Sequence, residues 1–280
     1  LFCFGLGYSA RALARRLLAK GWEVRGTTRS PEKAAALGRE GFAAHLFDRG
    51  RPLDDPAAAL AGVTHLLVSV APDEAGDPVL DAHLADLRAV PALAWVGYLS
   101  TTAVYGDRGG AWVDETSELR PTQPRAVRRA AAERAWLASG LPVHVFRLAG
   151  IYGPGRSAID DLRDGTARRV VKPGQLFSRI HVEDIANVLE ASMARPNASA
   201  VYNVCDDEPA SGPDVVTFAA ELLGVQPPPL VPFEQADLSP MARSFYADNR
   251  LVRNERIKRE LGVTLAYPTY RHGLRAIRRG

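Results

Sequence analysis

The sequence is poor in cysteine, in lysine and in long apolar runs, and each shortage removes a class of function. Its two cysteines, Cys3 and Cys205, each sit inside an apolar run that reads as a buried strand. They are expected to be small core residues rather than a disulfide or a metal site, and a reducing, cytoplasmic setting follows. No His/Cys cluster has metal-ligand spacing, so no metal is expected. No apolar run reaches the length of a bilayer span. The start of the chain lacks the basic-then-apolar pattern of a secretory leader. Neither a membrane partner nor export is therefore expected. Only four of the 35 basic residues are lysine. Arginines cluster at Arg125, Arg128, Arg129 and Arg134, and again at Arg271, Arg275, Arg278 and Arg279. The second group reads as a solvated helix face. Aromatic residues do not interleave with these charges as on a single-strand binding surface, so no nucleic-acid partner is expected.

What is present is an ordinary globular composition. Over 280 residues, 46% are apolar and 24% charged, with a net charge of +3. That is enough apolar material for one large domain with a smaller lobe. Short apolar runs at 1–5, 23–27, 43–47, 65–70, 94–100, 143–148 and 201–204 read as strands. They alternate with amphipathic stretches at 10–20, from Ser30-Pro31 to near Gly41, and at 126–139. Strands alternating with helices imply an α/β fold, a doubly wound parallel sheet covered on both faces. After Tyr152 the rhythm loosens. Residues 1–153, with 178–205 returning to them, form the expected dinucleotide-binding domain. Residues 154–177 and 206–280 form the expected smaller substrate lobe.

The first strand runs directly into Gly5-Leu6-Gly7-Tyr8-Ser9-Ala10 and then a helix. This is GxGxxA in the strand–turn–helix setting that a dinucleotide pyrophosphate needs. Gly5 permits the tight turn, Gly7 lets backbone approach the phosphates, and Ala10 allows close helix–strand packing. The helix N-terminus supplies N–H donors and a partial positive charge. The second strand ends in Thr28-Arg29-Ser30. An NAD-specific site carries an acid there for the ribose 2′-hydroxyl. Here there is none, and Arg29 can form two parallel hydrogen bonds to a 2′-phosphate. The expected cofactor is NADP, with NAD the less favoured choice. The alternatives are a solvated loop charge for Arg29 and a helix N-cap for Ser30. Asp48, after the third strand, and Ser69 and Ala71, after the fourth, fall along the expected cofactor path.

Later segments carry a family resemblance. Leu99-Ser100-Thr101-Thr102-Ala103-Val104-Tyr105-Gly106 resembles the Ser/Thr strand end and VYG of the extended short-chain dehydrogenase/reductases, the nucleotide-sugar epimerases and dehydratases. Arg147-Leu148-Ala149-Gly150-Ile151-Tyr152-Gly153-Pro154-Gly155 is similar to that family's YGPG segment. Arg179-Ile180-His181-Val182-Glu183-Asp184-Ile185 and Tyr202-Asn203-Val204 match its next two segments. The resemblance covers nearly the whole chain. It implies a Rossmann core, a C-terminal substrate lobe, a small polar substrate such as a sugar nucleotide, and Thr101 at the catalytic Ser/Thr position. It also implies a monomer or a homodimer, since relatives often pair through the helices near 80–90 and 124–139.

One departure outweighs these matches. The family's catalytic Tyr and Lys stand four residues apart on the helix after VYG. Here Arg125 and Arg129 occupy those positions, and there is no tyrosine between Tyr105 and Tyr152. The usual tyrosine exchanges a proton with substrate after its pKa is lowered from about 10 by neighbouring positive charge. Arginine keeps its proton at any working pH. Arg129 is left to hold the nicotinamide ribose, and Arg125 to stabilise an oxyanion or bind an anionic group. The alternative for both is an ordinary solvated helix charge. The pattern is most similar to the atypical branch of the superfamily. His181 is the candidate replacement acid/base, against the alternative of a structural histidine. Asp184 reads as a helix-start acid, and 206–208 as an acidic turn. Two functions remain open: an NADP(H)-dependent oxidoreductase or epimerase with substituted acid/base groups, and a non-catalytic NADP(H) sensor.

Overall fold

The computed structural model describes residues 1–279. Strands β1 (Phe2–Phe4), β2 (Arg25–Thr28), β3 (Ala43–Leu46), β4 (His65–Val68) and β5 (Trp95–Thr101) alternate with helices α1 (Tyr8–Ala19), α2 (Pro31–Arg39), α3 (Pro56–Leu60) and α4 (Pro78–Arg88). A short β6 (Trp112–Val113) precedes α5 (Pro124–Leu137). Then come β7 (Val143–Leu148), β8 (Gly150–Tyr152), α6 (Ala158–Arg163), β9 (Arg169–Val171), β10 (Arg179–His181), α7 (Val182–Ala194) and β11 (Val201–Val204). The chain ends with α8 (Gly212–Leu223), β12 (Leu230–Pro232), α9 (Pro240–Phe245), β13 (Leu251–Val252), α10 (Glu255–Leu261) and α11 (Tyr270–Arg279).

Seven strands form one sheet in the order β11-β7-β5-β4-β1-β2-β3. The pairs β1–β2, β1–β4, β2–β3 and β4–β5 are all parallel. From β1 the chain winds outward through β2 to β3, then returns to the other side of β1 as β4. That reversal is the topological switch point, where open α/β sheets bind ligands outside the strand C-termini. The expected doubly wound α/β architecture is therefore present. Its central strands are rich in apolar residues because both faces are covered: β1, β5 and β7 bury nearly every residue. No helix among the described residues is long and apolar enough to cross a membrane.

The chain divides into two compact units. The first comprises Leu1–Thr101, Pro124–Arg147 and Ile185–Tyr202; the second comprises Thr102–Gln123, Leu148–Asp184 and Asn203–Gly280. The first unit's core gathers Phe2, Phe4, Leu66, Val68, Tyr98, Trp136 and Val145 around the sheet. The second unit's core gathers Tyr152, Ile159, Ala219, Tyr270 and Leu274. This division differs from the one read along the sequence. Residues 102–123 and 148–153 cluster with the second unit, as do 178–184 and 203–205. The reason is strand pairing between distant segments: β8 pairs with β10, and β6 with β13. Neither pairing has a local signal.

Candidate functional site

The β1–α1 turn is built as a cradle for backbone. Gly5 has φ +88°, and a Cβ on it would stand 2.9 Å from Ser69 Oγ, so glycine is required there. Hydroxyls from the two neighbouring strands hold it: Gly5 N donates to Thr27 Oγ1 at 2.9 Å, and Ser69 Oγ donates to Gly5 O at 2.6 Å. These contacts bring the ends of β1, β2 and β4 together at the switch point. Sequence reasoning found Ser69 but missed Thr27, which is buried. A hydroxyl one residue before the end of β2, facing a glycine turn, was the available signal.

Gly7 is the N-cap of α1. No side chain caps this helix, its first turn carries no acid, and nothing lies within 4 Å of where a Gly7 Cβ would be. Compare α2, whose N-cap Ser30 accepts from Lys33 N at 3.2 Å, and α4, whose N-cap Asp77 accepts from Val79 N at 3.0 Å. The first-turn N–H groups of an α-helix need acceptors from outside it. At α1 the N-cap residue has no side chain to act as acceptor, and the space beside Gly7 is open to one. The arrangement fits a pyrophosphate. Tyr8 is partly exposed at this turn, Ser9 is nearly buried, and Ala10 is fully buried, allowing the close packing the motif calls for.

At the end of β2, Arg29 is exposed between half-buried Thr28 and Ser30. Asp48 turns into its own loop, accepting from Gly50 N at 2.9 Å and pairing its backbone with Arg51. Ala71 is exposed just beyond Ser69.

A second polar assembly joins α5 to the end of β5. Arg129 is half-buried, and its Nη1 donates to Leu99 O at 3.0 Å and to Tyr98 Oη at 3.1 Å. Its guanidinium also stands 5.5 Å from the Tyr98 ring centroid. One turn earlier, Arg125 is half-buried. One turn later, Glu133 is 1% exposed. Its Oε2 accepts from Arg147 Nη2 at 2.8 Å and Nε at 3.2 Å, while its Oε1 accepts the Ser100 hydroxyl. Thr101 follows Ser100 directly. The structure thus brings Thr101 and Arg129 to one strand end, with Glu133 beneath them. Glu133 and Ser100 were missed from sequence. The signal was a carboxylate spaced seven and three residues from Ala126 and Ala130, on a face otherwise apolar.

His181 belongs to the second unit and is buried. Its ring lies 3.9 Å from that of Tyr267 and 5.2 Å from that of Tyr152. Its Nδ1 accepts from Glu183 N at 3.2 Å, so the neutral ring carries its proton on Nε2. The two tyrosines nearest the family motifs are engaged. Tyr105 Oη donates to Asn203 Oδ1 at 2.7 Å, and Tyr152 Oη donates weakly to Thr269 O at 3.5 Å. Burial pushes the Tyr152 hydroxyl well above the usual phenol range.

Asp184 lies in the first turn of α7 but does more than serve the helix dipole. It is fully buried, and its two oxygens accept from Ala266 N and Tyr267 N, both at 2.8 Å. The acidic turn divides likewise. Asp207 Oδ1 accepts from Asn254 Nδ2 at 2.7 Å and Lys258 Nζ at 2.6 Å. Asp206 is buried, and desolvation pushes its carboxyl from 3.8 up to about 8, against the pull of Arg179.

Comparison with known proteins agrees with this geometry. The chain is 27% identical over 286 residues to Protein YeeZ of Escherichia coli (strain K12), covering 94% of each sequence. A conserved protein of unknown function from Silicibacter pomeroyi DSS is 56% identical, with a TM-score of 0.92 over 99% of this chain and 97% of that one. The UDP-glucuronic acid 4-epimerase of Bacillus cereus, solved in complex with NAD, superposes with a TM-score of 0.79 over 99% of this chain and 97% of that one. At 16% identity, that likeness speaks for the fold. The sequence profile of the NAD dependent epimerase/dehydratase family matches residues 5–205, spanning the glycine turn, the Thr101 strand end and the RIHVED segment, and the chain belongs to that family.

Proposed function

We propose that the protein binds NADP(H) at the β1–α1 turn and acts as an oxidoreductase or epimerase on a small polar substrate, a sugar nucleotide being the favoured class. The observation that carries this reading is the uncapped, glycine-bounded N-terminus of α1 at the sheet's switch point. A bound nicotinamide dinucleotide supplies hydride acceptance and return. The chain's own groups bind and orient it. Gly5, Gly7, Tyr8, Ser9 and Ala10 form the phosphate turn, with Ser69 and Ala71 beside it. Asp48 is assigned to the adenine end. Thr28, Arg29 and Ser30 would hold the ribose 2′-position. The Bacillus cereus neighbour holds NAD. In this chain the end of β2 offers a guanidinium and no acid, which favours a 2′-phosphate.

Arg129 is assigned to the nicotinamide ribose. Its Nη1 is spent on Leu99 O and Tyr98 Oη, and its Nε and Nη2 would hold the ribose hydroxyls. Thr101 and Arg125 are assigned to the substrate oxygen, as hydroxyl and fixed cation. His181, in the second unit, is the assigned proton carrier, because it is the imidazole among the motif residues. The sensor reading has its own support: a Tyr–Lys pair replaced by two permanent cations, one of them tied to β5.

The test is fluorescence titration with NADPH and NADH, followed on the same sample by a hydride-turnover screen over carbonyls and sugar nucleotides. Tighter NADPH binding with turnover is expected. Binding without turnover would favour the sensor, and absence of dinucleotide binding would overturn both readings.

A further inference from the structure

The buried assembly of Ser100, Glu133 and Arg147 is unexplained by the motifs. We infer that Glu133 is a positioning residue: through Ser100 and Arg147 it sets the register of α5 against the end of β5, and so places Thr101, Arg125 and Arg129 for the nicotinamide half of a bound dinucleotide. The inference rests on the dinucleotide-binding reading above.

Through Ala126, Ala130 and Ala132 the buried face of α5 is smooth, and alanines interlock too weakly to select one helix register. The one bulky buried side chain of the helix, Trp136, lies at its far end, stacked on Tyr98 with ring centroids 5.8 Å apart. Apolar burial has no direction, so at the near end directional bonds fix the register. At the far end of the helix, Trp136 Nε1 donates to Asp77 Oδ2 at 3.0 Å. At the near end the fasteners are Arg129, on Leu99 O and Tyr98 Oη, and Glu133, on the Ser100 hydroxyl and the Arg147 guanidinium. Between them they grip three consecutive residues, 98 to 100, that lead into Thr101.

Stability alone is a poor account of this pair. Both members are nearly fully buried, and the desolvation of two such charges largely offsets their attraction. Apolar pairs of similar volume are often equally stable. What an apolar pair cannot do is accept the Ser100 hydroxyl or fix a two-bond fork. The specific return from Glu133 is geometry at the strand end.

The distinguishing experiment compares two ligands on three proteins. The ligands are NADPH and adenosine 2′,5′-bisphosphate, which lacks both the nicotinamide and its ribose. The proteins are wild type, Ser100→Ala and the double variant Glu133→Leu/Arg147→Met, each with its melting temperature. Near-unchanged melting of the double variant is expected, with unchanged affinity for the fragment and at least a tenfold loss for NADPH. Ser100→Ala should show the same selective loss, about threefold. Equal losses for the two ligands, or no loss for NADPH, would overturn the inference while leaving dinucleotide binding intact. If the double variant does not fold, Ser100→Ala decides by the same criterion. If wild type binds neither ligand, the dinucleotide reading itself fails and takes the inference with it.

Discussion

The β1–α1 turn and the β5–α5 junction belong to the same unit and treat their polar groups in opposite ways. At the turn, α1 begins on a glycine with no side-chain cap and open space beside it. At the junction, three polar side chains find partners within the protein: Arg129 on β5, Ser100 on Glu133, Glu133 on Arg147. The contrast separates two tasks. A turn that is to receive a charged ligand keeps its donors available. A junction that is to hold reacting groups in place consumes its charges internally. It also explains how the family fold persists here without its tyrosine and lysine. The glycine turn after β1 is kept, while the helix after VYG is fastened by Arg129 and Glu133.

The second unit supplies the largest expected effect. Asp184→Ala removes a fully buried carboxylate that accepts from the backbone N–H groups of 266 and 267. Leaving them unsatisfied should cost about 3 kcal/mol, read as a lower midpoint in urea. An unchanged midpoint would mean that water or another group satisfies them.

Gly7→Asp tests the open turn most sharply. Gly7 has φ −85°, which any residue adopts, so the aspartate can cap α1. The substitution should raise stability by about 1 kcal/mol while lowering dinucleotide affinity about a hundredfold, or about 2.7 kcal/mol. Lower affinity together with lower Tm would point to a damaged fold instead.

Arg29→Ala should weaken NADPH about tenfold, or about 1.4 kcal/mol, and leave NADH unaffected. Parallel losses for both would remove Arg29 from the 2′-phosphate and return it to the solvated loop.

The subtlest prediction concerns pH. Asp206 carries a carboxyl raised from 3.8 to about 8 by burial. Between those values the folded protein holds a proton that the unfolded chain has lost. Stability should therefore fall as pH rises through that window and level off above it. Asp206→Asn should flatten the dependence. A wild-type profile that Asp206→Asn leaves unchanged from pH 5 to 8 would show that Arg179 keeps the carboxylate charged.

The legible parts were those with a local cause. The strand at 143–148 reads correctly because four of its six residues are apolar and all six are buried. Ser30-Pro31 begins a helix because cap oxygen and fixed φ are neighbours in sequence. The expectation for 126–139 falls two residues late at each end, since Pro124 is itself the first helical residue. Asp184 shows the limit. Its place in the first turn of α7 was visible, but its partners lie more than 80 residues away.

By itself the sequence determined the wound sheet, the glycine turn, the absence of an acid after β2 and the absence of a tyrosine on α5. Each is a matter of residue type at short range, where backbone freedom and periodicity act directly. Only the tertiary structure decided that Thr27 and Ser69 clamp Gly5, that Arg129 is bound to β5, and that Glu133 meets both Ser100 and Arg147. Those contacts are made between elements brought together by burial of the apolar core, and hydrophobic burial carries no address in the sequence of the polar groups it encloses.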